Sequence, residues 1–157
     1  MKQFPRGALI RYREWYGQKE GEPNVGLRMP ANAVGAGIKE REHGETITYS
    51  VLDPAAFASD GGPSIAERLG VSGFRRADNA RVQRLGAMGG WDQLRQRLLG
   101  EEGRPMLYVF DTCTHLIRTL PALQHDPNRP EDVDTQAEDH APDECRYACM
   151  SRPWVPE

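Results

Sequence analysis

The sequence predicts one α/β domain in which part of the sheet is parallel. Strand-like segments alternate with helical ones along the 157 residues, and this order is typical of layered α/β proteins. Residues 106–110 read MLYVF, a continuous apolar run of the kind expected for a buried central strand. With 38% hydrophobic residues, the chain is long enough to bury a core of its own.

The N-terminal part carries two strand patterns with a helix between them. Residues 7–17 predict a strand, because aromatic and aliphatic residues interleave with charged ones. Residues 30–42 predict a helix, since Val34 and Ile38 stand four positions apart, although the glycines there lower helix propensity. Residues 46–52 are a β-branched run that predicts a second strand, which an Asp-Pro pair ends.

The rest of the chain predicts short helices around the apolar run. Thr112 or Thr114 is expected to cap the helix that follows this run, because threonine oxygens accept hydrogen bonds from first-turn amides. The remaining predicted elements are a helix over 63–69 that ends before Gly70, a strand beginning at Phe74, and helices over 91–99, 114–120 and 139–150.

Charge is divided between a basic middle and an acidic end. The totals, 20 Lys and Arg against 23 Asp and Glu, give a net charge of −3 and argue against a simple nucleic-acid coat. Residues 68–97 carry seven arginines, whereas residues 126–144 carry eight acids and Arg129. This asymmetry suits a metal site beside a phosphate-binding surface. The alternative is two solvated faces of opposite sign.

The cysteines and the hydropathy pattern predict a cytoplasmic chain. Three cysteines without dense spacing or a C-x-x-C pair favour reduced, buried thiols over disulfides or zinc. No signal peptide is recognised, and no run approaches the ~18 apolar residues that span a bilayer. The sequence also has no G-x-x-x-x-G-K and no G-x-S-x-G, which excludes a phosphate-cradling loop and a serine nucleophile of the kinds that those motifs mark.

Two carboxylates in the acidic segment are spaced for a common site. Asp139 and Asp143 stand at i and i+4 of the last predicted helix and therefore share one face. Oxygen-only ligands suit a hard cation such as Mg²⁺ or Mn²⁺, and the adjacent His140 could join them. Alternatively, acids in a first helical turn complement the helix dipole.

Asp53 is the candidate third carboxylate. It follows a predicted strand, and α/β sheets bind ligands at the carboxyl ends of their strands. The alternative is that Asp53 caps the turn that follows it, and Asp111 after the apolar run has the same two interpretations. Two-metal nuclease sites combine carboxylates from separate elements. The set of Asp53, Asp139 and Asp143 is therefore a candidate metal-dependent site.

An ordered series of segments carries a family resemblance. The segments are GALIRYREWYG (7–17), VLDPA (51–55), DGGPSIAER (60–68), ADN (77–79), GWDQ (90–93), TLPALQHD (119–126), EDVD (131–134) and EDHAPDECRYA (138–148). With them, the chain resembles the nuclease domain of the large terminase subunit of tailed phages, the enzyme that packages viral DNA. The resemblance covers nearly the whole chain.

The resemblance implies a ribonuclease H-like mixed sheet flanked by helices over residues 1–157. It implies an endonuclease that cuts concatemeric double-stranded DNA during genome packaging, with one or two Mg²⁺ or Mn²⁺ ions. Asp53 would belong to the second of the family's acidic clusters and Asp139 to the third, with Asp143 one turn further along. The implied partners are double-stranded DNA, the upstream ATPase half, the portal and the small terminase subunit, in the cytoplasm of a bacterial host that carries the phage or prophage.

By the same resemblance, arginines of the basic region are candidates for gripping the DNA backbone. Such contacts with phosphates do not depend on base sequence. The candidates are Arg75, Arg76, Arg81 and Arg84.

The chain also departs from the family. The family's first catalytic Asp and its motor domain precede the strand that begins here at Gly7, so we expect an N-terminally incomplete domain with unpaired strand edges. The alternative function is therefore a non-catalytic fragment or binding module that holds DNA or a packaging component. Cys145 and Cys149 stand where aliphatic residues are expected, and Pro142 is expected to delay the last helix.

Overall fold

The computed structural model describes residues 3–17, 26 and 28–157, which form a mixed α/β fold. In chain order, its elements are β1 (Leu9–Arg11), α1 (Ala31–Arg41), β2 (Ser50–Leu52), α2 (Ile65–Arg68), β3 (Phe74–Arg76), α3 (Gly90–Leu99), β4 (Leu107–Val109), α4 (Thr114–Thr119) and α5 (His140–Ser151). Short 3-10 turns follow β2 and α4. None of the helices in these ranges is long and apolar enough to cross a membrane.

The strands form two parallel ladders. Strand β1 pairs with β4, with Leu9 opposite Leu107, and β2 pairs with β3, with Val51 opposite Arg75. The predicted parallel pairing is therefore confirmed. Within the described part of the chain the two ladders are not joined into one sheet. The expectation of a buried central strand at 106–110 is therefore wrong, because β4 has one neighbouring strand and Phe110 is 48% exposed.

Helix α5 forms the centre of the core. Its Cys145 and Cys149 are buried against Leu94 of α3, Leu107 of β4 and Leu116 of α4. The prediction of buried thiols is confirmed, since all three cysteines are free and buried. The apolar face of α5 thus packs against both α3 and the β1–β4 ladder. This packing fixes the positions of the polar residues on the rest of the helix.

Both predicted N-terminal strands are shorter than expected. Strand β1 ends at Arg11, and the residues that follow are attached through side chains instead of a backbone ladder. The Tyr12 hydroxyl donates to Glu45 at 2.6 Å, and Arg13 forms an ion pair with the same carboxylate at 2.5 Å. These contacts hold the extended residues 12–17 beside the chain that leads into β2.

The start of α4 is capped by a residue distant in sequence. The Glu14 carboxylate accepts the backbone amide hydrogens of His115 and Leu116, at 2.8 and 3.1 Å. The expected cap by Thr112 or Thr114 is wrong, because Cys113 occupies the N-cap position and its side chain makes no capping hydrogen bond. A carboxylate is favoured there because it also complements the positive end of the helix dipole.

Helix α5 begins earlier than Pro142 suggests. The helix starts at His140, so the proline is its third residue. First-turn amides have no partner within a helix, and a residue without an amide hydrogen is therefore tolerated there. The amide of Asp143 already closes the first turn, donating to the Asp139 carbonyl at 2.7 Å. The expected delay of this helix is wrong.

Two glycines of α1 lie at close contacts between elements. A Cβ atom on Gly35 would lie 1.6 Å from the carbonyl oxygen of Leu69, and one on Gly37 would lie 2.3 Å from the Trp15 ring. The predicted helix over 30–42 is confirmed as Ala31–Arg41. Its glycines lower helix propensity but allow the end of α2 and an aromatic ring to approach the helix backbone.

We expect Gly35→Ala to lower the free energy of unfolding by about 1–3 kcal/mol, because the added methyl group overpacks this contact. Helix propensity alone would give the opposite sign, a gain of roughly 1 kcal/mol. Urea denaturation followed by circular dichroism measures the difference. Gly62→Ala is the control, since a Cβ there meets nothing within 4 Å. A Gly35→Ala protein as stable as wild type would contradict the packing argument.

Candidate functional site

The two acids of α5 share one counter-ion. Asp139 is the N-cap residue of the helix, and Asp143 follows in its first turn. One guanidinium nitrogen of Arg81 lies 3.8 Å from the Asp139 carboxylate and 3.7 Å from that of Asp143. Burial, together with the neighbouring Asp143 charge, raises the pKa of Asp139 despite this cation. The predicted common face is therefore present, and the two negative charges on it repel each other.

A buried carboxylate holds Arg81 in place. Asp132 is 3% exposed, and its Oδ1 accepts hydrogen bonds from Arg81 Nε at 2.9 Å and Trp91 Nε1 at 3.0 Å. Arg81 also donates to the Val133 carbonyl at 3.2 Å. Burial acts to raise the pKa of Asp132, but the hydrogen bonds from Arg81 and the Val133 amide lower it overall. The guanidinium is therefore fixed between a buried acid and the pair on α5.

A second, buried arginine donates hydrogen bonds to Asp143. Arg146 is 1% exposed, and its Nη2 donates to the Asp143 carboxylate at 3.0 Å. Its Nη1 donates to the carbonyls of Asn79 and Ala80, at 2.8 and 3.3 Å. A Cβ on Gly90 would lie 2.5 Å from the Arg146 side chain, so the close approach of α3 requires glycine. The first turn of α5 is thereby joined to the segment that carries Arg81.

Asp53 reaches the same helix through a tyrosine. Tyr147, one turn after Asp143 on α5, donates its hydroxyl hydrogen to Oδ2 of Asp53. Burial, and then this hydrogen bond, raise the pKa of Tyr147. Oδ1 of Asp53 accepts the Ala55 amide hydrogen at 2.7 Å. Asp53 therefore caps its turn, as the alternative interpretation holds, and also links the carboxyl end of β2 to α5.

Two of the candidate DNA-contacting arginines lie on the strand that pairs with β2, before Asp53. Arg75 and Arg76 are exposed residues of β3, and the latter lies opposite the residue that precedes Asp53. Their guanidinium groups rest on aromatic rings, 4.6 Å from the centre of Tyr49 and 4.7 Å from that of Phe57. Such stacking holds the Arg75 charge near the start of β2 and the Arg76 charge just after its end, while both stay open to solvent.

The other two candidate arginines differ in their surroundings. The Arg84 side chain is 64% exposed and lies 3.6 Å from the Asp78 carboxylate. The Arg81 side chain is 23% exposed and faces the acids. In the sequence, Arg81 and Arg84 belong to the same basic segment. The structure distinguishes them, because contacts with residues distant in sequence leave Arg84 accessible and turn Arg81 toward the acids.

Sequence reasoning missed Asp132 and Tyr147. Asp132 lies in the segment EDVD, which carries part of the resemblance, but no local pattern shows that this one acid of the loop is buried. Tyr147 could have been noted, because it stands at i+4 from Asp143 and so on the same helical face. By contrast, Asp111 and His140 are exposed. Across the described residues, no group of three or more His, Cys, Asp and Glu side chains is arranged to hold a metal ion.

Comparison with known proteins adds no relative to this description. Neither family models, nor curated proteins, nor solved structures give a match to this chain. The resemblance to terminase nuclease domains therefore stays a prediction from the sequence segments.

The residue before Asp139 is anchored by a separate ion pair. Glu138 accepts hydrogen bonds from both terminal nitrogens of Arg118, at 2.7 and 2.8 Å, and from the Tyr16 hydroxyl at 2.8 Å. The hydrogen bonds from Arg118 are the main cause that lowers the pKa of Glu138 from 4.5 to about 2. The Tyr16 ring in turn stacks on His115, with centroids 4.1 Å apart. The start of α5 is thus tied to α4.

Asp132→Asn should lower the free energy of unfolding by about 1.5–3 kcal/mol, the range for losing hydrogen bonds to a charged group. The amide leaves the Arg81 charge without its buried counter-ion. Glu131→Gln removes an exposed charge next to it and should change stability by less than about 0.5 kcal/mol. Urea denaturation of both variants gives the comparison, and equal stabilities would show that Asp132 does not anchor the site.

Glu138 should make stability depend on pH in acid. A carboxylate with a lowered pKa stabilises the fold fully above its unfolded value of 4.5, and this contribution disappears as pH falls toward about 2. Glu138→Gln should therefore be less stable than wild type at neutral pH, and the gap should close across that window. Urea denaturation at a series of pH values measures it. A gap that stays constant would exclude this ion pair as its source.

Proposed function

We propose that this chain is a metal-dependent endonuclease domain of a viral DNA-packaging machine, ribonuclease H-like in fold and similar to the large terminase subunit. The main support is the convergence of two elements: Tyr147 joins Asp53, at the end of β2, to the helix that presents Asp139 and Asp143. A metal-dependent nuclease combines carboxylates from separate elements, such as one at the end of a strand and others on a helix.

The donor chemistry of this region suits a hard divalent cation. Asp139 and Asp143 offer only oxygen, and their mutual repulsion is relieved by a positive charge, which Arg81 provides in this arrangement. These two carboxylates would hold the ion, Mg²⁺ or Mn²⁺, if Arg81 turns away, and Asp53 is the candidate third ligand. When bound, such an ion supplies the Lewis acid that activates water and stabilises the leaving oxygen.

The chain's own residues account for the rest of the proposed activity. Arg76 lies across the ladder from Leu52, the residue before Asp53, and Arg75 lies one position earlier. Both are exposed, so they can bind backbone phosphates of a duplex at the site. Tyr147 fixes the orientation of the Asp53 carboxylate through its hydrogen bond. These contacts recognise phosphate and not base edges, which suits an enzyme that cuts double-stranded DNA without strong sequence preference.

We propose a partner strand beside β1. In a parallel ladder alternate residues bond to one neighbour, so the backbone of Ile10 faces away from β4, and the described residues include no strand on that side. A groove of about 270 Å³ lies there between β1 and α5, with Tyr12 and Ala148 among its lining residues. A strand from the upstream ATPase half would complete a ribonuclease H-like sheet. The portal and the small subunit are further partners that the resemblance implies.

One observation favours the alternative function. Arg81 already neutralises the acids of α5, and the buried Asp132 holds it there. A chain that retains this arrangement would bind DNA through its exposed arginines without cutting it. The alternative is therefore a non-catalytic binding module for DNA or another packaging component.

Plasmid cleavage with Mn²⁺ or Mg²⁺ tests the proposal. We expect metal-dependent nicking by the wild-type chain, reduced at least about 100-fold in Asp53→Ala and in Asp143→Asn, since the loss of supporting groups alone costs 10–100-fold at metal sites. Asp111→Asn is the matched control, because Asp111 follows β4 as Asp53 follows β2 and is exposed. Its nicking should equal that of wild type.

The same samples separate the two functions. Titration calorimetry with Mn²⁺ should show binding to the wild type that Asp143→Asn weakens. A folded chain that binds duplex DNA but neither nicks it nor takes up Mn²⁺ would overturn the nuclease proposal and support the binding module. Nicking that persists in both acid variants would show that cleavage comes from a contaminant or from another site.

A further inference from the structure

A tight turn next to the acids exposes a leucine in a strained conformation. Arg84 and Ala87 exchange two backbone hydrogen bonds, at 3.1 and 2.9 Å, around Leu85 and Gly86. Leu85 has φ +50° and Gly86 has φ +78°. Leu85 is 100% exposed, compared with at most 60% for the other exposed large hydrophobic residues described. We call residues 84–87 the Leu85 turn.

Neither local conformation nor packing explains a leucine here. Two-residue turns with positive φ at both positions strongly prefer Asn-Gly or Asp-Gly, and a left-handed leucine is an uncommon, costly state. The side chain recovers nothing by burial. A single exposed leucine needs no explanation by itself, but one that is also strained points to a contact outside the chain.

The base of the turn is tied to residues of the candidate site. Arg81, three residues before Arg84, contacts the acids of α5 and the buried Asp132. On the other side, a Cβ on Gly89 would lie 2.3 Å from the Val82 backbone. The turn is therefore held between α3 and the acids, with its tip directed into solvent.

We propose that the Leu85 turn is a DNA contact, in which Leu85 enters the minor groove against a base step while Arg84 binds the adjacent phosphate. Apolar wedges flanked by arginine are a recurring means of gripping and bending duplex DNA. The inference rests on the proposed function, because it takes duplex DNA as the ligand of the neighbouring site. It adds a residue that sets the position of the duplex over the acids.

The chain contains a matched control turn. Glu101 and Arg104 exchange two backbone hydrogen bonds, at 3.1 and 2.9 Å, around Glu102 at φ +51° and Gly103 at φ +73°. Asparagine tolerates this conformation, so Leu85→Asn and Glu102→Asn should each raise the melting temperature. The two variants thus share a backbone effect, and only one of them changes the proposed contact.

The test is fluorescence anisotropy with a short labelled duplex, with Ca²⁺ in place of Mg²⁺ or Mn²⁺. Leu85→Asn should weaken DNA binding about tenfold, which corresponds to about 1.4 kcal/mol, while its melting temperature rises. Glu102→Asn should bind at least as tightly as wild type. Arg84→Gln should weaken binding and lower its salt dependence by about one released ion.

The possible results distinguish the Leu85 contact from the proposed nuclease function and from an effect of turn conformation. If Leu85→Asn binds duplex DNA as wild type does, the wedge is overturned while the proposed nuclease stands. If the wild-type chain binds no duplex at low salt, both fall. A loss of binding in Glu102→Asn equal to that in Leu85→Asn would assign the effect to turn conformation and would also overturn the inference.

Discussion

The buried ion pair between Asp132 and Arg81 is the constraint on which this part of the molecule depends. A buried carboxylate is stable only when it is paired and hydrogen-bonded, and Asp132 obtains both from Arg81 and Trp91. Arg81, held in that way, then offsets the repulsion between Asp139 and Asp143. The loop before α5, the helix α3 and the acids of α5 are therefore parts of one electrostatic unit.

Sequence patterns predicted the helices well because their signals are local. The i, i+4 spacing of Val34 and Ile38 located α1, and Ser64 begins α2 with a capping box that reaches only three residues. The lengths of the strands and the cap of α4 could not be predicted from local sequence. They depend on Glu45 and Glu14, which act on segments about 30 and 100 positions away (Arg13 to Glu45 is 32, Glu14 to His115 is 101), and no window of sequence contains both partners.

The candidate site was predictable to a similar extent. The common face of Asp139 and Asp143 follows from helical geometry, and the position of Asp53 after a strand follows from the β-branched run. The internal role of Arg81 did not follow, because the same basic segment carries Arg84, which is exposed. Only the fold decides which guanidinium is taken up by a buried acid. The ribonuclease H-like topology and the nuclease activity stay predictions.

The pairing of β1 with β4 also governs the order of events during synthesis. Leu9 lies opposite Leu107, 98 positions later. Strand β1 therefore has no partner until β4 has left the ribosome. At roughly 5–20 residues per second, that interval is on the order of 5–20 s. Throughout it the apolar residues of β1 stay available for wrong contacts. Covering this segment during that interval would limit such contacts, whereas added stability of the finished core acts only after the ladder has formed.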